Sequence, residues 1–371
     1  MHMTQTKRPE IGATVVANGI KTNYLEDGKG SPVVFIHGSG PGVTAYANWR
    51  LVMPGLAPHF RTLAPDMVGF GYTERPDGIK YDIQVWADQV TGFLDALGIR
   101  TATLVGNSFG GAIALRVVTQ HPERVDKLVL MGSIGVPFPI TEGLDRVWGY
   151  QPSVENMRQM LGIFAYSPEL ANDHQLARVR YEASIQPGFQ EAFSSMFPPP
   201  RQNSVDEMVI PDDQLRKIGQ ETLIVHGRDD KVIPLDTSLR LLHLIDRSQL
   251  HVFGRCGHWT QIERAGDFVR LVDDFLSRPA EQTGTVTAGR LPAHRLEERR
   301  EERRHAPHAE ECPARQRAAQ HGFRPRTAAD RQGPLHPDVP DDGAHAGRRG
   351  PDGQHVPPGR DARLGLHRAL A

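Results

Sequence analysis

The apolar positions of this chain change period along its length, and the changes mark out its elements. Alternating or unbroken apolar runs of strand length occur at residues 13–17, 22–26, 32–36, 61–64, 102–105, 127–131, 221–225 and 249–253. The first two flank Asn18-Gly19, a strong signal for a two-residue hairpin. Between the later runs the period lengthens to that of a helix. Over 81–97, Ile83, Trp86, Val90, Phe93, Leu94 and Leu97 fall on one face. Helices are also predicted at 112–118, at 235–244, at 268–276 and, briefly, at 49–53, where Pro54 stops the run. Strands alternating with crossover helices imply an α/β fold: a mostly parallel sheet with helices on both faces, binding ligands at the carboxyl ends of its strands.

Two stretches break this rhythm. Over 135–208 the strands vanish, and Pro137, Pro139, Pro152, Pro168, Pro187 and the triplet ending at Pro200 punctuate short helical segments. This predicts a helical cap inserted into the core. From about Gln282 to Ala371 the chain holds no Lys, Ile, Asn, Met, Ser, Tyr or Trp, and its one Phe is Phe323. So few large apolar residues cannot offset the entropy of ordering, which predicts a disordered tail. The missing types are largely those with AT-rich codons, so the tail reads as a frameshifted or read-through translation of GC-rich DNA. The expected organisation is core 1–134, cap 135–208, core 209–281 and tail 282–371.

Composition narrows the class. With 43 basic and 44 acidic residues, the net charge of −1 gives no case for nucleic acid or an anionic membrane as partner. The first eleven residues are polar, and no apolar run is long enough to span a bilayer. Cys256 and Cys312 make no disulfide framework. A soluble cytoplasmic protein acting on a small molecule is expected. The tail histidines are spaced too irregularly for a metal site.

The chemistry centres on Gly106-Asn107-Ser108-Phe109-Gly110, which has the G-x-S-x-G form of a nucleophile elbow. A glycine-rich turn that merely contains a serine is the plainer reading. The apolar strand before it and the helix-forming run after it favour a nucleophile. Ser108 needs a base, and His258, just after the last predicted strand, is the candidate. An imidazole needs a carboxylate to fix its tautomer. Gly227-Arg228-Asp229-Asp230-Lys231 offers two, and spacing alone does not separate Asp229 from Asp230. An oxyanion hole needs backbone N–H groups. Phe109 supplies one, and the loop His37-Gly38-Ser39-Gly40-Pro41-Gly42 the other, through Ser39 or Gly40. That loop lacks the phosphate-binding and dinucleotide patterns.

With these residues in place, the chain resembles the α/β-hydrolase superfamily and, within it, the meta-cleavage product hydrolases, which break carbon–carbon bonds in bacterial aromatic-ring degradation. The resemblance runs over 11–276 and includes Arg180-Tyr181-Glu182-Ala183-Ser184-Ile185. Met131-Gly132-Ser133, Phe197-Pro198-Pro199-Pro200-Arg201-Gln202 and Gly257-His258-Trp259-Thr260-Gln261 are most similar to the 2-hydroxymuconate-semialdehyde hydrolase branch. The resemblance implies Ser108 as nucleophile, Asp230 as acid and His258 as base. It places the substrate contacts at Asn48, Asn107, Arg180 and Trp259. Ser39 stands where other members carry a glycine, which leaves the backbone donor intact. No metal or organic cofactor is implied, because a 2-hydroxy-6-oxo-dienoate supplies its own electron sink. Without the resemblance, Arg180 reads as a surface residue paired with Glu182.

Two other functions fit the same residues: a carboxylesterase with this triad, and a catalytically silent receptor for a small ligand. Dehalogenases and epoxide hydrolases do not fit, since they place Asp at the elbow. Attack by Ser108 and direct attack by activated water both suit the chemistry. The distal substituent of the substrate and the oligomeric state leave no mark in the sequence, and a homo-oligomer is compatible with it.

Overall fold

The computed structural model describes residues 8–279, and the tail expected over 282–371 lies outside them. Eight strands form one sheet: β1 (Ala13–Ala17), β2 (Ile20–Asp27), β3 (Ser31–Ile36), β4 (Phe60–Pro65), β5 (Ala102–Asn107), β6 (Val125–Met131), β7 (Glu221–Gly227) and β8 (Ser248–Phe253). Their spatial order is β1-β2-β4-β3-β5-β6-β7-β8. The β1–β2 and β2–β4 pairs are antiparallel, and every later pair is parallel. Asn18 and Gly19 turn the first hairpin with φ of 47° and 79°, the left-handed pair that matches strand twist.

The strand period sorts the core into two layers. Val33, Phe35, Val105, Val129 and Val225 pack with Trp49, Leu56, Phe268 and Val272 on one face. Val34, Ile36, Leu104, Leu128 and Ile224 face the helices Ile83–Ala96, Phe109–Gln120 and Leu235–Leu244 on the other. Central β5 is buried at every position, which is why it reads as an unbroken apolar run.

One expectation is corrected. The residues around Trp49 form two short helices, Ala45–Trp49 and Met53–Leu56, instead of one stopped by Pro54. Thr44 caps the first, accepting from the Ala47 amide at 3.0 Å. Pro54 lies in the opening turn of the second, where its missing N–H would have had no helical acceptor anyway.

Six helices lie between β6 and Ile210: Glu142–Trp148, Val154–Phe164, Pro168–Ala171, His174–Ser184, Phe189–Met196 and Gln202–Glu207. The first four are each capped by a Ser, Thr or Asp side chain (Thr141, Ser153, Ser167 and Asp173), which lets such short pieces stop and restart. Their apolar faces continue the core layer that contains β5.

Beneath the site, buried Asp66 joins three segments. Its carboxylate accepts from the Ala45 amide at 2.6 Å, the Tyr72 amide at 2.8 Å and Asn23 Nδ2 at 2.8 Å. Burial pushes this carboxyl up to about 6, against the three donors and Arg75. Burial pushes neighbouring His37 down to about 4, against its bond to Gly38. The unfolded chain protonates His37 below pH 6.5, so this residue's contribution weakens as acid passes that value. Asp66 has the opposite sign, because the folded state takes up its proton near pH 6 and the unfolded chain only near 3.8. Asp66→Asn removes that opposing effect. Urea unfolding across pH 6 to 4 is therefore expected to show an acid slope steeper by about 1.4 kcal/mol per pH unit. An unchanged slope contradicts a protonatable Asp66.

Candidate active site

β5 runs directly into Ser108, which has φ 56° and ψ −113° and precedes the first residue of the helix Phe109–Gln120. A non-glycine residue with positive φ is strained and persists only where its surroundings impose it. They do so here: the Ser108 amide donates to Met131 O at 2.8 Å, and its carbonyl accepts from Gly111 at 3.0 Å and Ile134 at 3.2 Å. The flanking glycines are steric requirements. A Cβ on Gly106 would lie 2.4 Å from Gly110 O, and one on Gly111 would lie 1.9 Å from Ser133 Oγ. Phe109 buries its ring against Trp86, with centroids 4.5 Å apart. As the first helical residue, it has no intrahelical acceptor for its N–H.

His258 arrives from the loop after β8. Its Nδ1 donates to Asp230 Oδ2 at 2.7 Å, and both side chains are buried. The other carboxylate oxygen of Asp230 accepts from the amides of Val232 at 2.7 Å and Ile233 at 3.0 Å. Burial alone would raise the Asp230 carboxyl. The charge and hydrogen bond of His258, joined by His226 and the Ile233 amide, outweigh burial and hold it below the usual range. Asp229 turns the other way, accepting from the Cys256 amide at 3.3 Å and from Arg228. The structure thus brings Asp230, and not its neighbour, to the imidazole. Burial and Glu263 push the Cys256 thiol up to about 12, so it is no rival nucleophile.

Ser108 and His258 line one cavity of about 760 Å³, its open mouth included, together with Ser39, Gly40, Asn48, Asn107, Arg180 and Trp259. Ser39 Oγ accepts from Trp148 Nε1 of the helical segment at 2.9 Å. Asn107 Nδ2 donates to Asn48 Oδ1 at 3.1 Å, which leaves Asn48 Nδ2 and Asn107 Oδ1 buried without partners. Trp259 stacks on Phe164 at 4.7 Å and forms part of the wall. Burial and the charge of Arg50 lower Arg180 to about 10, against the pull of Glu10 and Tyr150, so it stays cationic at neutral pH. Its Nε is buried without a partner, and it forms no ion pair with Glu182 or any other described carboxylate.

The cavity also holds residues the sequence reading missed. Gln261 is fully buried on its wall, and neither polar atom of its amide has a partner. Arg50 lines the cavity beside Arg180. Behind the wall, Glu263 accepts from Tyr166 at 2.9 Å, Ser167 at 2.8 Å and Gly257 at 2.8 Å. One carboxylate thereby ties the helical segment to the loop carrying His258. Among the described residues, no three His, Cys, Asp or Glu side chains gather to hold a metal ion, and no helix is long and apolar enough to cross a membrane.

Residues 31–265 match the alpha/beta hydrolase fold family. The chain is 60% identical over 268 residues to the 2-hydroxy-6-oxo-2,4-heptadienoate hydrolase of Pseudomonas putida (strain F1), covering 72% of this chain and 97% of that protein. It is 60% identical over 269 residues to the 2-hydroxymuconate semialdehyde hydrolase of Pseudomonas sp. (strain CF600), covering 72% and 95%. Among solved structures, a serine-to-alanine variant of the meta-cleavage product hydrolase of Pseudomonas fluorescens IP01, complexed with acetates, superposes with a TM-score of 0.72. That protein is 56% identical, with 72% of this chain and 98% of that one covered. The chain belongs to the α/β-hydrolase fold family and, within it, to the meta-cleavage product hydrolases.

Proposed function

We propose that this protein hydrolyses the carbon–carbon bond next to the distal carbonyl of 2-hydroxy-6-oxo-dienoate ring-fission products, with hydrogen or methyl as the distal substituent. The observation that carries the reading is one cavity holding a strained serine, a carboxylate-backed imidazole and, on the helical segment, an arginine without an ionic partner. An ester hydrolase has no need of that cation. A carboxylate conjugated to the scissile carbonyl does, because guanidinium binds it through two parallel hydrogen bonds. The names of the two relatives at 60% identity support a small substituent.

In this reading Arg180 holds the substrate carboxylate, and the unpaired amide groups of Asn48, Asn107 and Gln261 meet the adjacent 2-hydroxy or 2-oxo group. The dienol first becomes its keto tautomer, so that the conjugated oxo-acid can accept electrons. Ser108 Oγ attacks the distal carbonyl while His258 Nε2 takes the hydroxyl proton, and Asp230 stabilises the resulting imidazolium. The amides of Phe109 and of Ser39 or Gly40 meet the oxyanion. As the carbonyl re-forms, the carbon–carbon bond breaks. Its electron pair flows into the oxo-acid, which leaves as an enol acid carrying the proton from His258. Water, deprotonated by His258, then releases the acyl group from Ser108. Residues 135–208 act as a cap that closes this cavity.

Steady-state rates on the hydrogen-, methyl- and phenyl-substituted products and on p-nitrophenyl acetate test the proposal. The first two dienoates are expected to exceed both other substrates in kcat/KM by about a hundredfold, the discrimination a shaped pocket with a charged anchor can reach. Preference for the ester overturns it.

A further inference from the structure

Behind Asp230 lies a second buried histidine that the reaction above does not use. His226, at the end of β7, and Ser238, on the helix Leu235–Leu244, are both fully buried. His226 Nε2 is 3.0 Å from the Ile233 carbonyl, and its Nδ1 is 2.7 Å from Ser238 Oγ. A carbonyl only accepts, so Nε2 carries the ring proton. Nδ1 is then the lone pair that receives the Ser238 hydroxyl. The same protonated Nε2 edge faces Asp230 Oδ2 at 3.4 Å, the oxygen that takes the His258 proton at 2.7 Å. Two imidazoles of opposite tautomer therefore converge on one carboxylate oxygen.

We propose that His226 is a positioning residue for the Asp230–His258 pair. The Ile233 carbonyl fixes its tautomer and Ser238 steadies the ring at Nδ1, while its Nε2 edge fixes the orientation of the Asp230 carboxylate and draws off part of the charge offered to His258. The ionisable groups facing it are Asp230, from the loop after β7, and His258, from the loop after β8. The helix behind contributes only the hydroxyl of Ser238. Burial, aided by His258, holds the His226 imidazole below its usual range, against the pull of Asp230 and the Ile233 carbonyl. A positive charge there would neutralise the carboxylate that catalysis requires.

Two measurements on the whole chain test this. In wild type at about pH 7 to 9, 15N NMR of the histidine rings is expected to show His226 as the neutral Nε2–H tautomer, the form its Ile233 and Ser238 partners select. In His226→Phe, Asp230 gives its full charge to protonated His258, which persists to higher pH. The acidic limb of kcat/KM is then expected to rise by about half a pH unit, with kcat down about tenfold. His226→Gln, which keeps an N–H donor, restores kcat to within about threefold and returns the limb to within about 0.1 pH unit of wild type. Ser238→Ala moves the limb in the same direction by less. A merely structural role lowers the number of active molecules and leaves the limb in place. A His226 ring that titrates in this range, an Nδ1–H tautomer, or superimposable pH profiles for wild type and His226→Phe overturns the proposal. The inference rests on the roles proposed for Asp230 and His258. The NMR measurement reads His226 without turnover, so its failure is distinguishable from theirs.

Discussion

Ser108→Ala is expected to lower kcat by about 10⁴-fold or more while leaving the fold and substrate binding intact. The size of the effect follows from what the hydroxyl does. Without it no acyl group can form, and the oxyanion donors and Arg180 hold a substrate that nothing attacks. Binding survives because, in the proposed mechanism, those donors are backbone amides of Phe109 and the loop after β3, which keep their N–H groups when one oxygen is lost. The fold survives because the elbow's φ of 56° is imposed by bonds to Met131, Gly111 and Ile134 that alanine retains. Stopped-flow absorbance with the yellow dienoate, together with its Kd, gives both numbers. A residual rate within about a hundredfold of wild type would make water, not Ser108, the attacking group.

Arg180→Met is expected to cost about 10³-fold in kcat/KM for the dienoate, the equivalent of two charge-assisted hydrogen bonds. It should leave p-nitrophenyl acetate turnover within about threefold, since that ester carries no carboxylate to anchor. Stability should move the other way. Arg180 is desolvated, lies near the charge of Arg50 and pairs with no described carboxylate, so an apolar side chain of similar length relieves burial and repulsion together. A rise in Tm alongside the loss of activity would mark a residue kept for function at the expense of stability. Arg180→Lys should recover only part of the activity, because an ammonium cannot form the paired bonds. Equal losses on both substrates would contradict the anchor.

The elements legible in the sequence are those whose cause is local. The Asn18-Gly19 hairpin and the elbow follow from steric demands written within a few residues, and the inner strands of the parallel sheet announce themselves by short apolar runs. Pro54 misled because a proline that ends one helix and a proline that begins another look alike until Thr44 is seen capping the first. Asp229 and Asp230 are neighbours of the same chemistry, and only the turn of the loop, with Val232 and Ile233 donating to one and Cys256 to the other, tells them apart. Gln261 and Glu263 matter through partners they have, or lack, far along the chain. In sequence Gln261 closes a motif without showing its role, and Glu263 reads as an ordinary polar residue of a helical turn. His226 is the same case: its meaning depends on Ser238, twelve residues away.

In the proposed mechanism the substrate lies between the elbow and Arg180, and a crystal structure of Ser108→Ala holding an uncleaved methyl-substituted dienoate tests that directly. The expected density puts the carboxylate in paired contact with Arg180. It puts the distal carbonyl carbon within about 3.5 Å of residue 108, with its oxygen toward the Phe109 amide, the distance a reacting pair needs. A carboxylate turned toward His258, or a distal carbonyl out of reach of the elbow, would contradict it.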